Sequence, residues 1–299
     1  MRGLVVAILA CSVGWGADRS SIDVDALGVS DEAADELRSA IEADDWLEVE
    51  AQLFDHSQDD SGSAPRQVAL ALAHFENERY YQAAAAWRKA DQIEALTPHH
   101  RLALATAFIA IDRRHWARPE IERLISENPT EATYPYWLAG IYYDLQWFDE
   151  ALDATNRAIA LDPAFASAYD RAGQCFEGLG RTAEAESAYR HAVATATEDP
   201  WPLVHLGGVL TDQGKLDEAE RTLGRAVKLA PENAEAYFEI GTLLRRGDQL
   251  QRARDAFKRA TELAPDEARF HYAFGGVLRS LGEAELARQA LKRFRELSP

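Results

Sequence analysis

The sequence predicts an all-α chain, an α-solenoid of antiparallel helix pairs repeating every 34 residues. Three observations predict it. The first is a set of ladders: Ala83, Ala117, Ala151, Ala185, Ala219, Ala253 and Ala287; Trp87, Ile121, Thr155, Tyr189, Leu223, Phe257 and Leu291; Ala90, Leu124, Ala158, Ala192, Ala226, Ala260 and Phe294. The second is a run of helix-stopping residues in step with them, Pro129, Pro163, Pro231, Pro265 and Pro299. The third is Gly180, Gly214, Gly247 and Gly282, which mark a turn inside each pair. The reason for these residue types is packing. Apolar residues at three- and four-residue spacing stripe one face of a helix. A small residue lets the neighbouring helix approach, and the bulky residue four beyond each ladder alanine fills the gap. One pair cannot bury its own apolar face, so copies must stack.

The clearest copies run from Pro200 to Pro265. Leu203-x2-Leu206-Gly207-x2-Leu210 with Ala219, Leu223, Ala226 and Pro231 is followed by Tyr237-x2-Ile240-Gly241-x2-Leu244 with Ala253, Phe257, Ala260 and Pro265. This pattern resembles the tetratricopeptide repeat. The resemblance implies a right-handed solenoid whose first helices line a concave groove.

Taken in order, the chain opens with Arg2 and the apolar run Leu4 to Ala10, ending at Cys11. That looks like an export signal over residues 1–17, too short for a membrane span of about 20 apolar residues. Ile8-Leu9-Ala10-Cys11 also resembles a lipobox, in which Cys11 carries the lipid. Cleavage near Ala17, or no cleavage, are the other readings. Residues 18–30 read as an acidic linker and residues 31–63 as a degenerate helix pair, with Val49 and Leu53 in ladder register. Residues 64–299 read as seven repeats. The first two, residues 65–131, carry Ala71 and Ala105 where later copies carry Gly. Pro119 is expected in the first turn of its helix, where a missing N–H costs little. The copy at residues 132–165 looks displaced by one, with Gly140 late and the turn at Gln146 short. Gly224, inside a helix, suggests a tight helix contact.

At 299 residues, length alone suggests about two domains, but an unbroken repeat argues for one solenoid. The net charge of −18 argues against a nucleic-acid partner. Charge is uneven: residues 18–60 hold fifteen acidic and two basic side chains, residues 241–299 eight and twelve. Of the two cysteines, Cys175 reads as a small buried residue. No phosphate-binding loop, zinc-protease helix or nucleophile elbow is present. The eight histidines are scattered; His99-His100 is the one doublet, and no metal or cofactor is expected.

That leaves binding. One side of successive first helices presents Tyr134, Trp137 and Ile141; Asp170, Gln174 and Glu177; Trp201, Val204 and Gly208; Phe238, Thr242 and Arg245; Tyr272, Gly276 and Arg279. This groove reads apolar and aromatic, acidic in the middle and basic towards its end. It lacks the lysines with which family members grip a terminal carboxylate. The expectation is a non-catalytic scaffold that binds an apolar or aromatic peptide segment. The leader adds a resemblance to envelope lipoproteins that assist assembly. The alternatives are a cytosolic adaptor, or an enzyme using the Asp170 and Glu177 carboxylates, about 10 Å apart. Aromatics at this spacing also suit the core. The last helix, with Phe294 in an alanine register, reads as a terminal cap or a self-association surface.

Overall fold

A computed structural model describes residues 22–27, 29–55 and 63–298. The described residues form sixteen α-helices and a 3₁₀ turn at Val24–Leu27. The helices fall into two compact units, one ending at Ile141 and one running from Tyr142. Within each, successive helices pack as antiparallel pairs, the arrangement of an α-solenoid.

The first unit holds α1 (Asp31–Glu42), α2 (Trp46–Asp55), α3 (Ala64–Glu76), α4 (Tyr80–Ile93), α5 (Pro98–Ala110), α6 (Arg114–Glu127) and most of α7 (Thr133–Asp144). Ser30 caps α1 by accepting from the Ala33 amide, and Thr97 caps α5 by accepting from that of His100. Such caps satisfy amides that have no intrahelical partner. Arg101, 1% exposed, ties three helices together: it donates to Asp91 at 2.6 Å and to Glu120 at 2.7 Å. Phe75 packs against Trp87, ring centroids 5.6 Å apart. Pro119 lies in the second turn of α6, not the first, because that helix already begins at Arg114. It therefore removes one bond to the His115 carbonyl.

The second unit holds the end of α7, then α8 (Phe148–Leu161), α9 (Ala166–Gly178), α10 (Thr182–Thr195), α11 (Trp201–Asp212), α12 (Leu216–Leu229), α13 (Ala234–Arg246), α14 (Leu250–Leu263), α15 (Ala268–Ser280) and α16 (Ala284–Leu297). The ladder alanines 151, 185, 219 and 253 are fully buried. The small-residue contact is tight. A Cβ placed on Gly173 would lie 2.4 Å from the Tyr189 ring, and one on Gly207 2.4 Å from Leu223 Cδ2. Gly241 meets Phe257 at 2.6 Å and Gly275 meets Leu291 at 2.8 Å. Each glycine stands 16 residues before the side chain that fills its notch.

Three expectations are corrected. The copy at residues 132–165 is not displaced: Ala139 is buried at the close-contact register, and Gly140 faces open space. Gly224 also faces open space, so no tight contact explains it. Gly247 is not the left-handed turn residue. It has φ −79°, and Asp248, one later, takes φ +57°. Every pair turns through one positive-φ residue on a single 34-step ladder: Asp44, Glu78, Asp112, Gln146, Gly180, Gly214, Asp248 and Gly282. Asp44 shows that α1 and α2 turn in the same register as the pairs that follow.

Candidate binding face on the first helices of the second unit

The predicted groove residues separate into buried and accessible groups. Trp137 at 4% exposure and Ile141 at 2% fill the core of the first unit, and Val204 at 1% that of the second. Val204 stands one turn before Gly207 and so shares the side pressed against the next helix. These three are core residues, a correction to the groove reading. Tyr134 is half-buried. Trp201 (41%) and Tyr272 (55%) are exposed, as are Arg245 and Arg279. Tyr272 rests on Phe294, centroids 5.2 Å apart. Phe238 stacks on Phe270 at 5.0 Å beneath the Arg269 guanidinium. Cys11 lies outside the described residues.

Asp170 and Gln174 belong to a polar cluster across α9, α11 and α13. Gln174 Nε2 donates to Asp170 Oδ2 at 3.1 Å, and Arg171 Nη1 donates to Gln174 Oε1 at 2.8 Å. The His205 Nδ1 sits 2.8 Å from Asp170 Oδ1. Burial alone would lower the His205 pKa, but the Asp170 carboxylate bonded to it, with Glu177 and Glu235 nearby, raises it above the usual value. His205 lies between the rings of Tyr189 and Trp201, 5.4 and 6.0 Å away. The Tyr189 hydroxyl donates to Glu177, whose own pKa rises because neighbouring atoms strip water from its carboxylate. Asp170 and Glu177 are therefore each engaged by a different side chain.

One helix further on, Glu239 reaches over Gly208, with Oε2 3.2 Å from where a Cβ there would stand. Burial, reinforced by Glu235 and Asp212, pushes its pKa up to about 7 against the pull of Arg269. Arg269 is already committed to Glu235, donating at 2.9 Å through Nη1. Among the described residues Glu239 forms no ion pair. The arrangement is a half-buried carboxylate flanked by further carboxylates and floored by a glycine, with the exposed Trp201 about two turns away on the same helix as that glycine. Such a site favours a cation. Sequence reasoning missed His205 and Glu239. They stand 34 apart, and a polar ladder inside otherwise apolar first helices was the available signal.

Among the described residues no cluster of three metal-ligating side chains occurs, and no helix is long and apolar enough to cross a membrane. Cys175 is fully buried, and that burial pushes its thiol up to about 11.

The geometry defines a helical-repeat protein. The tetratricopeptide repeat model matches residues 102–164, 142–200, 207–266 and 239–299, together more than half of the chain. The chain belongs to the tetratricopeptide repeat family. It is similar to TTC0263 of Thermus thermophilus, with 22% identity over 61% of this chain and 99% of that one and a TM-score of 0.53. It is similar to PilW, described as a type IV pilus biogenesis factor, with 22% identity over 64% and 90% and a TM-score of 0.59. Yeast Tom70 aligns over 90% of this chain and 61% of its own, with 15% identity and a TM-score of 0.65. At these identities the likeness concerns the fold. A comparison with curated proteins returned no match. Proteins of this family are generally non-catalytic and bind protein or peptide partners, so this chain is a protein–protein interaction scaffold.

Proposed function

We propose that the first-helix face of the second unit binds a peptide segment carrying a basic side chain next to an apolar or aromatic one. Glu239 carries the reading: it is a half-buried carboxylate with no ion-pair partner among the described residues, seated over a glycine whose missing side chain makes room for it. A guanidinium or ammonium placed there supplies the missing charge and draws the carboxyl back toward its ordinary ionisation. Trp201 offers an exposed aromatic surface for the neighbouring residue. This narrows the sequence expectation of an apolar segment, because the face is acidic as well as aromatic. The leader pattern around Cys11 supports a place in a bacterial envelope, anchored by lipid, where the scaffold assists assembly of a complex. Intact-mass measurement of the native protein tests that part. A mature chain that begins at Met1 removes it.

The binding reading is tested with an array of twelve-residue peptides varied in charge and aromatic content. The expected selection is Lys or Arg beside Trp, Phe or Leu, lost on Glu239→Lys. Selection indifferent to peptide charge overturns it.

A further inference from the structure

The second unit also carries a cleft of about 620 Å³ between α10 and α12. Its lining includes Arg190, Val193, Leu206, Thr222, Arg221 and Arg225. Thr197, one of its lining residues, lies in the loop from α10 to α11. The loop from α10 to α11 spans residues 196–200, one residue longer than the loops after α8, α12 and α14. Thr197 stands there in the register of Pro163, Pro231 and Pro265. The floor is apolar, with Leu206 and Thr222 buried and Val193 packed into the core beneath.

The rim holds three arginines and Glu218, and its charges divide. Arg190 is neutralised by Glu186 at 2.8 Å and Glu218 at 2.6 Å. Arg221 and Arg225 form no ion pair among the described residues. They are one turn apart on α12, and like charges at that spacing destabilise a helix. Some other arginines of the unit are matched by carboxylates: Arg246 with Asp212, Arg252 with Glu220, Arg254 with Glu283 and Arg293 with Asp266. Arg221 and Arg225 thus set two unpaired guanidinium groups beside the cleft floor, in a chain of net charge −18.

We infer that the α10–α12 cleft is a second docking site, one that takes an acidic peptide segment with an apolar side chain between its carboxylates. The apolar side chain enters over Leu206 and Val193, and the flanking carboxylates accept from the Arg221 and Arg225 guanidinium groups. Guanidinium matches carboxylate geometry with paired N–H donors. A polyanion is disfavoured, because a long phosphate backbone meets the acidic remainder of the chain beyond the cleft. The site is distinct from the Glu239 face in position and in the sign of the charge it selects.

The test uses a fluorescein-labelled peptide, acetyl-Asp-Glu-Leu-Glu-Asp-amide, read by fluorescence anisotropy with the full chain at low salt. Binding is expected to weaken at least about tenfold in Arg221→Glu/Arg225→Glu, with helical circular dichroism unchanged. Ala194 lines the cleft at an exposed position, so Ala194→Trp, which fills that edge without altering charge, should weaken it as well. Glu239→Lys should leave it in place, so failure here is separable from failure of the Glu239 reading. Equal binding by wild type and the double variant overturns the inference. So does displacement by inorganic phosphate as effective as by unlabelled peptide, which marks an adventitious anion site. Retained binding in Ala194→Trp overturns the placement in the cleft.

Discussion

Replacing Gly207 by alanine should destabilise the protein, although alanine is the better helix former. The added methyl would lie 2.4 Å from Leu223 Cδ2 and 2.5 Å from Leu223 Cγ, where ordinary contact begins near 3.4 Å. Cγ is the branch point of the side chain, so relief requires a rotamer change or a parting of α11 and α12 by roughly 1 Å. Overpacking of this kind costs about 1–3 kcal/mol, and overlap with two side-chain carbons places it at about 3. The gain in helix propensity returns about 1 kcal/mol, leaving a net loss of about 2 kcal/mol. Gly224 on α12 provides the control, because nothing lies within 4 Å of its Cβ position. Gly224→Ala should stabilise by about 1 kcal/mol. Leu223→Ala alone should cost about 2–5 kcal/mol. Combined with Gly207→Ala it should cost about 1–2 kcal/mol less than the sum, because the new methyl enters space that the leucine vacated. Urea denaturation followed by far-ultraviolet circular dichroism measures all four, with midpoints compared at constant slope. If Gly207→Ala stabilises as much as Gly224→Ala does, the close-contact account of the repeat is wrong.

Trp137→Ala should lose about 3–5 kcal/mol in urea denaturation because the side chain is core. Trp201→Ala should lose little stability and instead weaken binding of basic peptides. Gly214→Ala, at φ +75°, should cost about 1–2 kcal/mol by the same assay, whereas Asp248→Gly, at φ +57°, should gain up to about 1. Glu239 ionises with a pKa raised to about 7 in the folded state. The fold therefore holds a proton that the unfolded chain releases near 4.5, and this carboxyl removes stability as pH rises from about 4.5 to about 7. His205, also raised, contributes stability below its unfolded value that is lost as pH climbs through its folded one. Glu239→Gln should raise stability at pH 8 by about 1–3 kcal/mol and flatten the profile between pH 5 and pH 8; an unchanged profile refutes the assignment.

The repeat was legible because its determinants are local and periodic. The buried ladders through Ala83 and Trp87 could be read by counting, since small-against-large packing demands those types at each step. The turn ladder was legible only in part, because five of its eight positions are not glycine. Asp, Glu and Gln accept a positive φ there when the helix pair on either side fixes the chain, so composition pointed at Gly247 in place of Asp248. The binding face was harder to read. Rotating a helix by one residue moves its side chains about 100°, enough to turn Val204 from a ligand contact into a core residue. The partnership of Asp170 with His205 joins residues 35 apart on neighbouring repeats. Spacing within one helix gave no view of it. The unmatched state of Glu239 is likewise a property of the packed helices.

Glu239 is the group proposed to meet a basic residue of the partner, and a charge exchange tests that directly. The basic-aromatic peptide selected from the array is measured by isothermal titration against wild type and Glu239→Lys, then remade with its basic residue changed to glutamate. Each single reversal should weaken binding about tenfold or more, and the doubly reversed pair should recover most of that loss. A doubly reversed pair no tighter than either single reversal would show that the peptide's charge is read elsewhere.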